Sequence, residues 1–211
     1  MAAVSWLYKN NPNDNVSLIC LGVHPDYEGL KGLGELSSSE FQTLFPARMQ
    51  LTPAEMKCFD GLWKIYCSSD HRKLKEHSDC LDSQRFPHMT PALSCHERRF
   101  PHQQSGLSEV EEKILNMLSE APKSERALVG ELLRWQEWQG FGDVQYENHL
   151  KAMKGLIENK DGLLHLTAQG KQALALGLAS PLDTMIHPYG GASTSSHVYD
   201  RVTGTLIIRE A

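Results

Sequence analysis

The C-terminal half of the chain contains three stretches in which apolar residues recur every three or four positions, the spacing of one face of an α-helix. They predict a helix that begins after Ser108, a second helix over 124–137 and a third over 143–158. Glu111 follows Ser108 by three positions, which is the pattern of a capping box. The predicted inward faces are Val110, Ile114, Met117 and Leu118, then Leu128, Leu132 and Trp135, then Tyr146, Leu150, Met153 and Ile157.

A turn, a strand pair and a last helix are predicted to follow these three helices. Asp161-Gly162 is a turn signal, and "LLHLT" after it has the pattern of a short strand. The segment "AQGKQALALG" then predicts a closing helix that ends at Gly177. Three helices, a strand pair and a closing helix in this order predict a winged-helix-like domain over 106–180.

The N-terminal half predicts part of an α/β unit with packing helices, over 1–105. Its opening residues have helical spacing up to Asn11-Pro12, and "VSLICLG" at 16–22 has the pattern of a strand buried on both faces. Helix start signals then occur at Ser38 or Ser39, at Thr52-Pro53 and at Thr90-Pro91. Between the last two, a polar stretch predicts a short exposed helix with Leu74 and Leu81 turned inward.

The last predicted region, 181–211, contains a loop and a β-hairpin. "PYGGASTSS" has the composition of a flexible loop, and "HVYDRVTGTLII" predicts a hairpin around Thr203-Gly204. The predicted fold class is therefore α+β and mainly α.

Composition and charge narrow the classes of partner. The 211 residues carry a formal net charge of −5, so no overall positive field attracts nucleic acid or an anionic membrane. No run of about 18 apolar residues occurs, so no membrane span is expected. We expect no signal peptide either, and five cysteines at irregular spacing favour reduced thiols in the cytoplasm. Two disulfides with one spare thiol is the alternative.

The third predicted helix is the candidate nucleic-acid reader of the winged-helix-like domain. Its outward residues include Asn148 and Lys151, with Lys154 close by, and these three are the candidate nucleic-acid-binding residues. Glu147 beside them would repel phosphate. Over 107–180 the chain has eight Lys and Arg residues against eleven Asp and Glu residues, a balance of −3. Nucleic acid is therefore disfavoured, and a protein contact is favoured.

The loop after the first strand is the candidate catalytic site. His24, Asp26, Glu28 and Glu35 lie among glycines beyond the carboxyl end of that strand, where open α/β sheets collect ligands. His24 has the chemistry of a base near neutral pH, with an acidic neighbour to orient it or to bind a metal. The alternative is a glycine-rich surface loop whose charges are only solvated.

Two further groups of residues have the chemistry of binding sites. Cys67, His71, His77 and Cys80 fall within fourteen positions, as a second loose group of His88, Cys95 and His96 does farther on, but their spacing matches no common zinc pattern. We therefore predict neither a metal site nor a cofactor. Arg48 and Arg99 lie at predicted helix ends, where each can line an anion site or serve a structural role, of which the structural role is favoured.

The chain resembles an uncharacterised bacterial family known as domain of unknown function 1835. The resemblance lies in "GLGEL", "LFPAR", "RFP" with "GLS" after it, and "LHLTAQGKQAL", and it extends over nearly all of the chain. It implies no reaction and no catalytic residues. It implies that members have a further α/β segment at the N-terminus, so such a segment is one expected partner of this chain.

The sequence thus favours a non-catalytic interaction or regulatory module whose winged-helix-like domain contacts protein or, failing that, nucleic acid. The alternative is a hydrolytic or nucleotide-processing enzyme whose site in the loop at 22–35 is completed by residues outside this chain.

Overall fold

The computed structural model describes residues 1–11, 14–20, 34, 36–136, 140–177 and 188–209. They form a mainly α-helical α+β protein with small antiparallel sheets. The chain divides into two compact units: the N-terminal unit, Met1–Ile65 with Glu76–Thr90, and the C-terminal unit, Tyr66–Lys75 with Pro91–Ala211. The contacts therefore divide the chain at other positions than the predicted boundary near residue 105. Among the described residues, no helix is long and apolar enough to cross a membrane.

The elements up to residue 97 are mostly short helices. They are α1 (Ala2–Asn10), β1 (Ser17–Leu18), α2 (Ser38–Thr43), a 3-10 turn at Phe45–Ala47, β2 (Met49–Gln50), α3 (Pro53–Tyr66), α4 (Leu74–His77), a 3-10 turn at Ser78–Cys80, and α5 (Met89–Glu97).

The helix start signals of this region are mostly confirmed. Ser37, one residue before the two predicted serines, caps α2. Thr52 and Glu55 form the expected box at α3, since each backbone N–H donates to the other's side chain. Leu74 and Leu81 are buried as predicted. The third signal is displaced, because Thr90 lies inside α5 and does not precede it.

The predicted buried strand over 16–22 is wrong in its described part. Only Ser17 and Leu18 pair, antiparallel to Gln50 and Met49, and neither side chain is buried. The apolar run "VSLICLG" suits a central parallel strand, but β1 has a single described neighbour of two residues. Hydrophobic content alone could not reveal the missing sheet partners.

The elements after residue 105 follow the predicted order. They are α6 (Glu109–Glu120), α7 (Glu125–Trp135), α8 (Asp143–Ala152), β3 (Ile157–Lys160), β4 (Leu163–Leu166), α9 (Ala168–Leu176), β5 (Pro188–Tyr189), β6 (Ala192–Ser193), β7 (His197–Asp200) and β8 (Thr205–Ile208). The third predicted helix is too long, because α8 ends at Ala152 and Ile157 begins β3.

One hydrophobic core joins α6, α7, α8, the β3–β4 hairpin and α9. Ten of the eleven predicted inward residues of the three helices are buried, and Trp135 packs against the core half-buried. The largest fully buried side chain is Tyr146, on α8. Ile157 is buried as predicted, although it lies in a strand. The other buried members are Leu107, Leu115, Val129, Leu156, Leu164 and Ala173.

The capping box at the start of α6 is itself buried. The Ser108 N–H donates to Oε2 of Glu111 at 2.9 Å, and the Glu111 N–H donates to the Ser108 hydroxyl at 3.4 Å. Burial raises the pKa of Glu111 to about 7, although hydrogen bonds from Ser108 to its carboxylate favour the charged form. The box that the sequence predicted thus fixes the helix start and places a titratable group in the interior.

The β3–β4 hairpin turns at Asp161 and Gly162, both with positive φ, as the Asp-Gly signal predicted. Lys123, between α6 and α7, pairs with Leu164 of β4 through two backbone hydrogen bonds. Thr167 then caps α9 by accepting the Gly170 N–H at 3.0 Å. A Cβ atom at residue 170 would overlap with the carbonyl oxygen of Leu156, so the Thr-x-x-Gly sequence brings α9 directly against the start of the hairpin.

Two small hairpins close the described chain. The β7–β8 hairpin, with Gly204 at positive φ in its turn, confirms the hairpin predicted around Thr203-Gly204. The preceding segment was predicted to be a flexible loop, but β5 and β6 form a tight antiparallel pair. At its turn, Gly190 and Gly191 have no space for a Cβ beside the backbone of Tyr66 and Cys67, and this contact with a distant segment is invisible in the local sequence.

Candidate functional site

The exposed face of α8 is the first candidate surface. Asn148 and Lys151 are exposed as predicted, and Val144, one turn before Asn148, is 59% exposed. Glu147 is half-buried, and its carboxylate lies 3.9 Å from the Lys151 ammonium. The face therefore presents an apolar side chain, a neutral amide and an internally paired charge.

The position of α8 is fixed by Gln136, the last described residue before the gap at 137–139. Its side-chain amide donates to the Phe141 carbonyl at 2.7 Å and accepts the Phe141 N–H at 3.0 Å. The Tyr146 hydroxyl donates to the same amide oxygen at 3.0 Å. Burial raises the pKa of Tyr146, which keeps this hydroxyl a donor at any physiological pH.

Lysines around α8 and the hairpin lie beside carboxylates of the same unit. Lys123 lies 3.0 Å from Glu131, and Lys160 lies 2.7 Å from Glu158. Lys151 has Glu147, as above, while Lys154 is exposed just after α8. The first residue of α8 is Asp143, which places a carboxylate at the helix end that reads DNA in helix-turn-helix proteins.

The candidate catalytic residues His24, Asp26, Glu28 and Glu35 lie outside the described residues. The enzyme hypothesis for the loop at 22–35 therefore stays a prediction.

The two candidate anion-binding arginines belong to different units and are held by aromatic rings. The Arg48 guanidinium lies 4.0 Å from the Phe45 ring centroid and donates to the Phe45 carbonyl at 3.0 Å. The Arg99 guanidinium lies 4.5 Å from the centroid of Phe141 and 6.0 Å from that of Tyr189. These contacts fit the structural role that the sequence favoured, and the anion role stays a prediction.

A second candidate site joins two cysteines and a histidine in the N-terminal unit. Cys58 on α3 forms a disulfide with Cys80, and the ligand atoms of Cys58, Cys80 and His77 lie within 4.8 Å of one another. The expectation of five reduced thiols is therefore wrong for this pair, whereas Cys20, Cys67 and Cys95 are free. Sequence spacing placed His77 and Cys80 with Cys67 and His71, whereas Cys58, which lies 22 positions before Cys80, comes near them only on folding.

Histidines of the C-terminal unit form a buried cluster with aromatic rings. Nδ1 of His71 lies 3.0 Å from Nε2 of His96, and Nε2 of His71 donates to the Tyr66 carbonyl at 2.7 Å. Since that donation leaves Nδ1 of His71 as the acceptor, Nε2 of His96 carries the proton between the two rings. The rings of Phe100 and Tyr189 lie edge-on to His96.

Both histidines of this cluster are neutral at physiological pH. Burial lowers the pKa of His71, and burial together with the positive charge of Arg99 lowers the pKa of His96 to about 3. Their arrangement is that of a polar core pair.

A third polar group contains the residue types of a catalytic triad in a different geometry. The Ser105 hydroxyl donates to Oε1 of Glu112 at 2.6 Å, and Nδ1 of His102 lies 3.2 Å from the same oxygen. Burial alone would raise the pKa of Glu112, but hydrogen bonds from His102, Ser105 and Arg201 lower it to about 2. Because Ser105 contacts the carboxylate and not the imidazole, this group ties β7–β8 to α6 and does not activate a nucleophile.

No protein-family model, curated protein or solved structure matches this chain. The resemblance to domain of unknown function 1835 therefore stays a prediction.

Proposed function

We propose that this protein is a non-catalytic interaction module whose winged-helix-like unit, 108–177, contacts another protein through the exposed face of α8. The order helix, bridge residue, helix, helix, strand, turn, strand supports a winged-helix fold, with Lys123 in the place of the short strand between the first two helices. In that fold α8 occupies the position of the recognition helix.

The side chains on the exposed face of α8 indicate which class of partner this face binds. Val144 offers apolar surface, Asn148 offers a neutral amide, and the negative charge of Glu147 lies 3.9 Å from the Lys151 ammonium and offsets part of its field. Binding to DNA depends on cations that replace condensed counterions, and each such contact adds to the affinity. A face that begins with Asp143 and contains a paired lysine lacks that driving force, whereas a mixed apolar and polar face suits a protein surface.

Location is part of the same proposal. The three free thiols, Cys20, Cys67 and Cys95, fit a reducing compartment such as the cytoplasm, in which the Cys58–Cys80 disulfide would be reduced as well.

Titration of labelled random-sequence duplex DNA at about 50 and about 150 mM salt tests the choice between the two partner classes. At about 150 mM salt we expect a Kd no tighter than about 10⁻⁴ M for the wild-type chain, and no change in Lys151→Glu. The matched reversal, Glu147→Lys, leaves Lys151 unpaired and should strengthen binding at low salt. Submicromolar binding at the higher salt that is lost in Lys151→Glu would overturn the proposal in favour of nucleic acid.

A further inference from the structure

The N-terminal unit contains a group of metal-ligating side chains for which the proposed module has no use. Cys58 lies on the inner side of α3 and is 5% exposed, His77 is the last residue of α4, and Cys80 ends the 3-10 turn that follows. Cys80 and His77 are three positions apart on one short turn, so both face α3 together. The Cα atoms of Cys58 and Cys80 are 6.1 Å apart, well within the range of a disulfide.

Helix α3 has a glycine at the position where the His77 imidazole packs against it. Gly61 lies one turn after Cys58 on α3, and a Cβ atom at residue 61 would overlap with Nε2 of His77. Glycine in a helix interior costs about 1 kcal/mol relative to alanine, so its presence here has a local cost that the close approach of His77 explains. The absence of a side chain at Gly61 thus leaves room for the His77 ring beside the two sulfurs.

The three side chains border a cavity of about 370 Å³. Tyr8, Lys57 and Lys64 also line it, as does Asp60, whose carboxylate accepts from the Ser5 hydroxyl at 2.6 Å and lies 2.6 Å from the Lys64 ammonium. Burial alone would raise the pKa of Asp60, but these contacts and the charge of Lys9 lower it. The Asp60 carboxylate is therefore already bound to Ser5 of α1 and to Lys64. The side of the cysteine–histidine group that lines the cavity remains open to solvent.

We infer that the reduced protein binds one zinc ion through Cys58, Cys80 and His77, with the fourth position open to this cavity, and that the Cys58–Cys80 disulfide is the metal-free alternative of the same site. Two thiolates and an imidazole are the donor set of zinc sites with one open position. Sulfur ligands select zinc over magnesium and calcium, which prefer oxygen. A tetrahedral zinc ion needs its ligand atoms about 3.5–3.8 Å apart. The two sulfurs, which are bonded to each other in the disulfide, therefore move apart after reduction, while the His77 nitrogen, which lies within 4.8 Å of them, moves closer.

Reduction of the disulfide, followed by zinc binding, converts the disulfide form into the zinc form. A dithiol reductant gives two electrons and two protons to the disulfide, which becomes two thiols, while the reductant itself becomes a disulfide. Zinc then displaces the two thiol protons, and His77 binds through a neutral ring nitrogen. Because the same two sulfurs form the S–S bond or the two Zn–S bonds, each form excludes the other.

The test measures zinc binding by the full-length protein before and after reduction. A water-soluble phosphine converts the disulfide and water into two thiols and a phosphine oxide, and is removed before zinc is titrated against a chromophoric chelator. We expect one zinc ion per reduced chain and none per oxidised chain. Cys58→Ser, Cys80→Ser and His77→Gln should each weaken binding by about 100-fold or more, whereas Cys20→Ser and Cys67→Ser, which remove exposed thiols elsewhere, should leave it unchanged.

Gly61→Ala distinguishes a loss of zinc affinity from a loss of stability. Alanine should maintain or raise helix stability while it displaces the His77 ring, so zinc affinity should fall in a chain that unfolds no more readily than wild type. As a second readout, zinc should protect Cys58 and Cys80 from alkylation, detected by peptide mass, and leave Cys67 reactive. Absence of binding by the reduced chain, unfolding on reduction, or zinc binding by Cys58→Ser and Cys80→Ser as tight as that of the reduced wild-type chain would overturn the inference and leave a structural disulfide.

Discussion

Replacing Gly170 by alanine should destabilise the C-terminal unit by about 3 kcal/mol. The added methyl group would overlap with the carbonyl oxygen of Leu156 and come within 3.0 Å of its carbonyl carbon. Both are backbone atoms, and the same carbonyl accepts the Thr167 N–H at 3.0 Å, so it cannot turn away without loss of the cap region. Urea unfolding followed by far-ultraviolet circular dichroism measures the change in the free energy of unfolding.

Gly130→Ala is the matched control, in the interior of α7. A Cβ atom at residue 130 meets only the Arg134 guanidinium, at 3.6 Å, so the helix propensity of alanine should stabilise the unit by about 0.5–1 kcal/mol. Opposite signs for the two alanines are the expected result. Equal, small effects would show that α9 does not pack against residue 156 as described.

The stability that His96 provides should be lost in acid. Its pKa is lowered to about 3 in the folded protein, whereas an unfolded histidine has a pKa of about 6.5. Below pH 6.5 the unfolded chain therefore binds a proton that the folded chain refuses, and the free energy of unfolding falls by about 1.4 kcal/mol per pH unit from this residue. Its contribution is fully present above about pH 6.5 and falls by about 3 kcal/mol on the way to pH 4.

The comparison with His96→Gln isolates this effect from other titrating groups. The glutamine amide has a donor that can reach Nδ1 of His71 and does not titrate in this range. The advantage of wild type over the variant should therefore shrink steadily as pH falls from 7 to 4. Leu93→Val, a non-titrating core change on the same helix, should give an offset that does not vary with pH. A constant offset for His96→Gln as well would contradict a buried neutral histidine.

The comparison with His96→Gln is necessary because Glu111 changes the free energy of unfolding with pH in the opposite direction. Its pKa is raised to about 7, so its contribution is fully present below its unfolded pKa of about 4.3 and is lost as pH rises through 7. In the window between these values the two residues change stability in opposite directions. The pH profile of the wild-type chain alone would hide both.

Much of the C-terminal unit, and the start of α3 in the N-terminal unit, follows from local sequence signals. The capping boxes at Ser108 and Thr52 and the Asp-Gly turn at 161–162 satisfy backbone groups within a few residues, so the sequence alone predicts them. The helical stripe through Tyr146 and Leu150 also identified the buried face of α8. The same stripe overran the end of the helix, because Ile157 continues the spacing after the chain has turned into β3.

Features made by distant residues could not be predicted in this way. Cys58 meets Cys80 and His77 only because α3 and the turn after α4 fold together. Residue 190 has to be glycine because Tyr66 leaves no space for a side chain there, and nothing near residue 190 in the sequence indicates this. The prediction of a buried strand over 16–22 was wrong for the same reason, since the burial of a strand depends on sheet partners that a local pattern does not contain.

The most direct measurement of the central claim is photo-crosslinking from the α8 face. A benzophenone amino acid is placed at Val144 or Asn148, and at Asn116, an exposed position on α6, as the control. We expect one and the same protein adduct from both α8 positions, none from residue 116, and loss of the Asn148 adduct when Val144→Glu is added. Equal adducts from all three positions, or an adduct that nuclease removes, would contradict a protein-binding face on α8.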